Sequence, residues 1–314
     1  MNINELSFPK DAAHLEKQSS AMFPFILTIA IIIGTAIAYL VELLDTTIKT
    51  DFDVKRHLNY PLLGTVPFLK EGVLLNRPDC NTILLELFDT VATMLSTVAS
   101  ERMLKVVVVT SANPKEGKSS ISVNIATALA KQGRRVVIVD GDLRIPAIHA
   151  FLNVPRAPGL AEALSGGVVA REMLRNAVGN GERGGFLAEV TQASGIKGMS
   201  VIPCGEKPEN PYELFESSRL SAVFQGLKAE YDFVIVDSPP LLLTGDALKI
   251  VSAADAALFV IESGKTDQKE ASWAKHLLTS VGVTMVGTIL NKATASREQY
   301  YRYYYHYGYH RTKR

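Results

Sequence analysis

The residues best suited to chemistry lie in the middle of the chain. Ala112-Asn113-Pro114-Lys115-Glu116-Gly117-Lys118-Ser119 has the pattern of a phosphate-binding loop, with Ala in the first position where Gly is commoner. Backbone N–H groups of such a loop, continued by Ser120 at the start of a helix, can wrap phosphate oxygens. The helix N-terminus adds partial positive charge. Lys118 supplies a full positive charge to the terminal phosphates, and Ser119 offers a hydroxyl to Mg²⁺. Asp140 and Asp142 in Val137-Ile-Val-Asp-Gly-Asp-Leu-Arg144, and Asp237 in Val234-Ile-Val-Asp-Ser-Pro-Pro240, end two apolar runs. Taken singly, each aspartate could be a helix cap or a turn residue. Three at strand ends beside a phosphate loop suit Mg²⁺, held through oxygen ligands and water. That set of parts predicts phosphoryl transfer, which needs mainly positioning and charge neutralisation. Asp140 or Asp142 could accept the proton if the acceptor is a hydroxyl. Arg144 either stabilises phosphate charge or pairs with an aspartate.

A second chemical feature lies at the C-terminus. Tyr300, Tyr301, Tyr303, Tyr304, Tyr305, Tyr307 and Tyr309 crowd one stretch, interleaved with basic residues. Aromatics with Arg and Lys also suit RNA stacking or a membrane interface. Beside a phosphoryl-transfer site they read as phosphate acceptors. Each phosphate would add about −1.5 to −2 charge and turn a basic tail acidic.

These groups need a scaffold that brings strand ends together. Val106–Thr110, Val136–Asp140, Met199–Pro203, Phe233–Asp237, Ala257–Ile261 and Met285–Leu290 are short apolar runs, mostly β-branched, as in parallel strands buried on both faces. Helical stretches separate them, among them Ser120–Lys131, which stops at Gly133. The alternation predicts an α/β fold with a doubly wound, mostly parallel sheet, whose ligands bind beyond the carboxyl ends of the strands. Lys plus Arg is 33 against 32 for Asp plus Glu, so net charge gives no reason to expect nucleic acid. Two cysteines and no metal-spaced Cys/His cluster argue against a disulfide scaffold or a structural zinc site.

No residue from Gln18 to Val41 is charged. About 20 apolar residues in a helix cross the ~30 Å hydrocarbon layer. This stretch predicts one transmembrane helix over 21–44, with Pro24 in its first turn and residues 1–20 as a short outer tail. Residues 45–100 read as a juxtamembrane connector, with Tyr60–Pro67 extended and Thr82–Val98 helical. Residues 101–293 form the catalytic domain and 294–314 the tyrosine-rich tail. The charge bias across the span favours a cytoplasmic C-terminal side by only one residue, and a need for cytosolic nucleotide points the same way.

With these residues in view, the chain resembles the bacterial tyrosine autokinases of exopolysaccharide and capsule export. The resemblance lies in Val108–Ser120, in Val137–Pro146 with its two aspartates and arginine, in Val234–Pro240, in Gly159–Gly166, in Asn210–Phe215 and in the tyrosine tail. The span followed by Tyr60–Pro67 is similar to the end of the polysaccharide chain-length regulator often fused to these kinases; the first span and outer domain of that fused form lie outside the chain. The resemblance implies a P-loop NTPase fold and MgATP-dependent phosphorylation of tail tyrosines between subunits. It implies a ring-like homo-oligomer at the bacterial inner membrane with a cytoplasmic kinase domain. The implied partners are the polysaccharide export machinery and a phosphotyrosine phosphatase. It assigns phosphate and Mg²⁺ to Lys118 and Ser119, metal and catalysis to Asp140, Asp142 and Asp237, and an adenine contact to Asn291.

Two departures stand out. The family's helix before the loop carries a glutamate and then two arginines at three-residue steps, whereas Glu86 is followed by Asp89 and Ala92. Lys115 occupies a loop position where glycine is usual. A cell-division or partitioning ATPase shares the fold and the aspartates, but that group has a lysine five residues before Lys118, and here the position is Asn113. A catalytically weak ATP-binding scaffold of the exporter is the other alternative.

Overall fold

The computed structural model describes residues 11–68, 74–75, 82–165 and 187–294. It divides into two compact units, Met1–Thr46 and Thr47–Arg314. In the first, helix α1 runs from Asp11 to Leu44. Its part Phe23–Leu44 has a mean hydropathy of 2.3 and no buried residue, so it is long and apolar enough to cross a membrane. The helix starts earlier than the apolar run because Ala12, Ala13, Leu15, Glu16 and Lys17 are strong helix formers. Pro24 therefore lies inside the helix and not in its first turn as the sequence suggested. The hydroxyls in the apolar stretch are satisfied locally: Thr28 Oγ1 donates to the Pro24 carbonyl at 2.7 Å and Thr35 Oγ1 to the Ile31 carbonyl at 2.8 Å.

The second unit is built on an eight-stranded sheet. Its strands are β1 Leu62–Pro67, β2 Val106–Ser111, β3 Val136–Asp140, β4 Gln192–Ala193, β5 Met199–Ile202, β6 Phe233–Asp237, β7 Ala256–Glu262 and β8 Thr284–Ala293. Their spatial order is β1-β8-β7-β2-β6-β3-β5-β4. The pairs are parallel except β4–β5. The helices are α2 Asp51–Leu58, α3 Thr82–Arg102, α4 Lys118–Lys131, α5 Ile148–Leu152, α6 Leu160–Leu164, α7 Leu187–Val190, α8 Pro211–Leu214, α9 Ser217–Glu230, α10 Asp246–Ala253 and α11 Gln268–Ser280.

Strands β2, β3 and β6 are buried at every position. Successive residues serve opposite layers, as the two-residue strand period requires. Val107 and Val109 pack with Leu87, Phe88, Val91 and Ile125 of α3 and α4; Val106 and Val108 join Phe224, Ile250, Ala274 and Leu278 of α9, α10 and α11. Helix α3 is apolar enough to span a membrane by composition, yet Leu84, Leu87, Phe88, Val91, Ala92, Leu95 and Ala99 are buried in this unit, which makes it a core helix.

The stretch read as a connector is more ordered than its prolines suggested. Leu62–Pro67 is a strand paired in parallel with β8, at an edge of the sheet where proline is tolerated. Ahead of it, Thr50 caps α2 through a reciprocal pair with Asp53. Thr47 bridges Asp267, the Ile48 N–H donates to the Thr266 carbonyl at 2.9 Å, and the Gly264 N–H donates to the Ile48 carbonyl at 2.9 Å.

Candidate nucleotide and metal site

The strand order brings the carboxyl ends of β2, β6 and β3 side by side. Strand β2 leads into the 112–117 loop, and α4 opens at Lys118, not at Ser120 as the periodicity suggested. Lys118 and Ser119 thus lie in the first turn of a helix, where free N–H groups and the helix dipole favour anions.

The loop is held from three sides. Gly117 caps α4 with φ 95°, a left-handed conformation that favours glycine. A Cβ there would collide with Asn291 Nδ2. That close approach exists because Asn291 Nδ2 donates to the Glu116 carbonyl at 2.8 Å. Lys115, where the resemblance leads one to expect glycine, also takes positive φ (66°). Its carbonyl accepts from Lys292 Nζ at 2.6 Å, and the same ammonium pairs with Glu262 at 3.1 Å. Glu116 points inward and is 1% exposed. Its carboxylate accepts from Thr266 Oγ1 at 2.5 Å and from the Asn113 N–H at 3.0 Å. Burial pushes the Glu116 carboxyl above its ordinary range, against the opposing pull of these hydrogen bonds. Asn113 Nδ2 donates to Glu270 at 2.7 Å. Ala112 is buried, while Pro114 is exposed at the tip.

The three aspartates converge. Asp140 and Asp237 end adjacent parallel strands as register partners, and both are fully buried. Asp237 Oδ1 accepts from Ser122 Oγ at 3.4 Å. Burial raises its carboxyl to about 7, although the Lys118 charge and the neighbouring Ser119 hydroxyl pull it down. Asp140 Oδ2 accepts the N–H groups of Ala147 and Ile148 at 3.1 and 3.0 Å. Burial, and then the charge of Asp237, push the Asp140 carboxyl well above the usual carboxylate range. Asp142 Oδ1 accepts the N–H groups of Arg144 and Ile145 at 3.2 and 3.0 Å, so the turn after β3 aims this side chain. Burial raises its carboxyl too, opposed by those N–H groups and by Lys118. Arg144 Nε is engaged by the buried Asp246 of α10 at 2.6 Å, the aspartate-pairing alternative of the two the sequence left open.

This arrangement fits a divalent cation. Crowded buried carboxyls resist ionising together unless a positive charge joins them. Asp237 Oδ2 is buried with no hydrogen-bond partner. An oxygen-only set of Ser119, Asp140, Asp142 and Asp237 suits Mg²⁺. The groups that sequence reasoning missed are Thr266, Ser122, Glu270 and Asp246. Thr266, Glu270 and Asp246 reach the site from distant segments, Ser122 lies one turn into α4, and none carries a local motif. The seven tail tyrosines, Tyr300 to Tyr309, lie outside the described residues.

Comparison with known proteins supports the same reading of the fold. A family model described as "ParA: NUBPL iron-transfer P-loop NTPase" matches residues 102–313. The tyrosine-protein kinase YwqD of Bacillus subtilis is 33% identical over 219 residues, which cover 70% of this chain and 85% of that protein. The tyrosine-protein kinase ptk of Acinetobacter johnsonii is 29% identical over 281 residues, which cover 85% of this chain and 36% of that longer protein. Among solved structures, the kinase domain of the Escherichia coli tyrosine kinase ETK superposes with a TM-score of 0.65 at 26% identity, covering 79% of this chain and 97% of that one.

Proposed function

This chain belongs to the bacterial tyrosine-protein kinases, on a ParA-type P-loop NTPase fold, and from that premise we propose that it transfers the γ-phosphoryl group of ATP to tail tyrosines of neighbouring copies. The observation that carries this reading is the pairing of Asp140 with Asp237 across adjacent strands, with Ser122 of the helix that the phosphate loop opens hydrogen-bonded to Asp237. The loop, the carboxylates and the lysine thereby lie at the same end of the sheet.

The backbone of residues 112–117 and the first turn of α4 cradle the phosphates, joined by Ser120 and by the Lys118 ammonium. Asn291 sits against the loop and lines the base side. Ser119, Asp140, Asp142 and Asp237 would hold Mg²⁺, which neutralises phosphate charge when bound. A tyrosine phenol oxygen attacks the γ-phosphorus, the bond to the bridging β–γ oxygen breaks, and ADP leaves. The phenol proton passes to a carboxylate, Asp142 being the better placed because it is less enclosed than Asp140 (8% against 0% exposed). Arg144, turned to Asp246, positions the 140–146 turn.

Transfer between copies requires a homo-oligomer. The helix that carries the arginine motif in the resembling family is α3. Here Glu86 and Asp89 are exposed, but Ala92 is buried in the core, so that position adds nothing outward to a ring contact. Helix 23–44 serves as a single-pass membrane anchor with the kinase unit in the cytoplasm. The role at the exporter is control of exopolysaccharide or capsule polymerisation, with a phosphotyrosine phosphatase to reverse the modification. The test is an anti-phosphotyrosine blot of purified protein with MgATP, wild type against Lys118→Met. Signal in wild type and none in the variant supports the kinase. ATP consumption without phosphotyrosine overturns it in favour of a partitioning-type ATPase, and neither activity favours a scaffold.

A further inference from the structure

Behind the proposed Mg²⁺ ligands lies a second group of metal-binding atoms with a different chemical character. Asp140 ends β3, His149 is in the first turn of α5, and Cys204 follows β5, the neighbour of β3. One ligand atom from each, a carboxylate oxygen, an imidazole nitrogen and a thiol sulfur, lies within 4.8 Å of the other two. We propose that Asp140, His149 and Cys204 bind a borderline-soft divalent cation of the Zn²⁺ class, and that this ion withdraws Asp140 from the nucleotide site.

Three observations carry the assignment. Tetrahedral zinc bonds of about 2.0 Å to N and O and about 2.3 Å to S set these ligand atoms roughly 3.3–3.5 Å apart. The three atoms, within 4.8 Å of one another, therefore need to close by about 1.5 Å at most, within the reach of side-chain rotation. Second, His149 Nδ1 is buried and makes no hydrogen bond, so the fold gives this nitrogen no other use. Third, partners already orient the other two groups: Arg156 Nε donates to Cys204 Sγ at 3.3 Å, and the N–H groups of Ala147 and Ile148 donate to the Asp140 carboxyl, as outer-shell partners do. His149 is half-buried and offers the ion a way in.

Ligand type separates the two sites. Sulfur and imidazole select zinc over magnesium, whereas the oxygen set of Ser119, Asp142 and Asp237 selects the reverse. Asp140 belongs to both, so the two ions compete for one carboxylate. On binding, a Zn–S bond forms and the Cys204 thiol proton passes to solvent. Metal binding is independent of the phosphoryl-transfer reading; the loss of transfer that follows rests on it.

The test uses the full chain in detergent, stripped of metal and carrying Cys80→Ser, with Co²⁺ as spectroscopic probe. The expected result is a thiolate-to-cobalt charge-transfer band that saturates at one ion per chain and is displaced by Zn²⁺. The band should vanish in Cys204→Ser, and cobalt affinity should fall roughly 10-fold or more in His149→Asn. Retained MgADP binding by each variant shows that it is folded. In the kinase assay, Zn²⁺ should suppress phosphotyrosine in the parent and suppress it at least tenfold less in Cys204→Ser. No charge-transfer band in the parent, or a band that survives Cys204→Ser, overturns the site. Equal zinc inhibition of both proteins overturns the withdrawal of Asp140. Absence of phosphotyrosine without zinc sinks the kinase reading alone, and the cobalt spectrum still decides the site.

Discussion

Replacing Asp237 by Asn should stabilise the nucleotide-free protein, and the gain should grow with pH. Burial raises the Asp237 carboxyl from 3.8 to about 7 in the folded chain. A group whose pKa is higher folded than unfolded favours the native state when protonated and costs stability as it ionises. The cost begins above pH 3.8, accumulates up to about 7 and is constant beyond. At ~1.4 kcal/mol per pH unit it reaches about 4 kcal/mol at pH 8 and about 1.5 kcal/mol at pH 5. Asp140 shares the burial and the repulsion, so these are upper values. Asparagine cannot ionise, and its Oδ1 can keep the hydrogen bond of Ser122. Its amide would stand where Asp237 Oδ2 has no partner. For a unit of this size, thermal unfolding without nucleotide should show Asp237→Asn roughly 5–10 °C above wild type at pH 8 and a few degrees above it at pH 5. MgADP should raise the wild-type midpoint and the variant's far less, because the variant lacks a carboxylate for the ion. A gap that is absent at pH 8, or that does not shrink toward pH 5, would refute the electrostatic account of the aspartate cluster.

Other perturbations probe the loop and the anchor. Gly117→Ala forces an L side chain into left-handed backbone at about 1–2 kcal/mol and displaces Asn291 from the Glu116 carbonyl, at about 1 kcal/mol more. Titration with a fluorescent ADP should show affinity roughly 10- to 100-fold weaker, and unchanged affinity would mean that the loop does not hold phosphate. Thr266→Val leaves the buried Glu116 Oε1 without its donor and should cost about 1–3 kcal/mol, read as a lower unfolding midpoint, whereas Thr266→Ser should behave as wild type. Deleting residues 1–45 should move the protein from the membrane pellet to the soluble fraction on centrifugation, with ADP binding intact. Continued pelleting would show that another surface is the main anchor.

The features legible from sequence are those set by neighbours along the chain. The runs Val106–Val109, Val136–Val139 and Phe233–Val236 read as strands buried on both faces because every residue in them is apolar and nearly all are β-branched. The phosphate loop announced itself because its glycine, lysine and serine act through local backbone geometry, and the apolar 23–44 helix because length and composition are local quantities. Tertiary structure decided which distant groups meet. Thr266 reaches Glu116, Asn291 packs on Gly117, Asp246 takes Arg144, and Cys204 comes to lie beside Asp140 and His149. Each of these contacts depends on strand order, and strand order is settled by how all the layers bury their apolar faces together. The raised carboxyl of Asp237 has the same origin: an aspartate is ordinary until packing removes its water and sets Asp140 on the next strand.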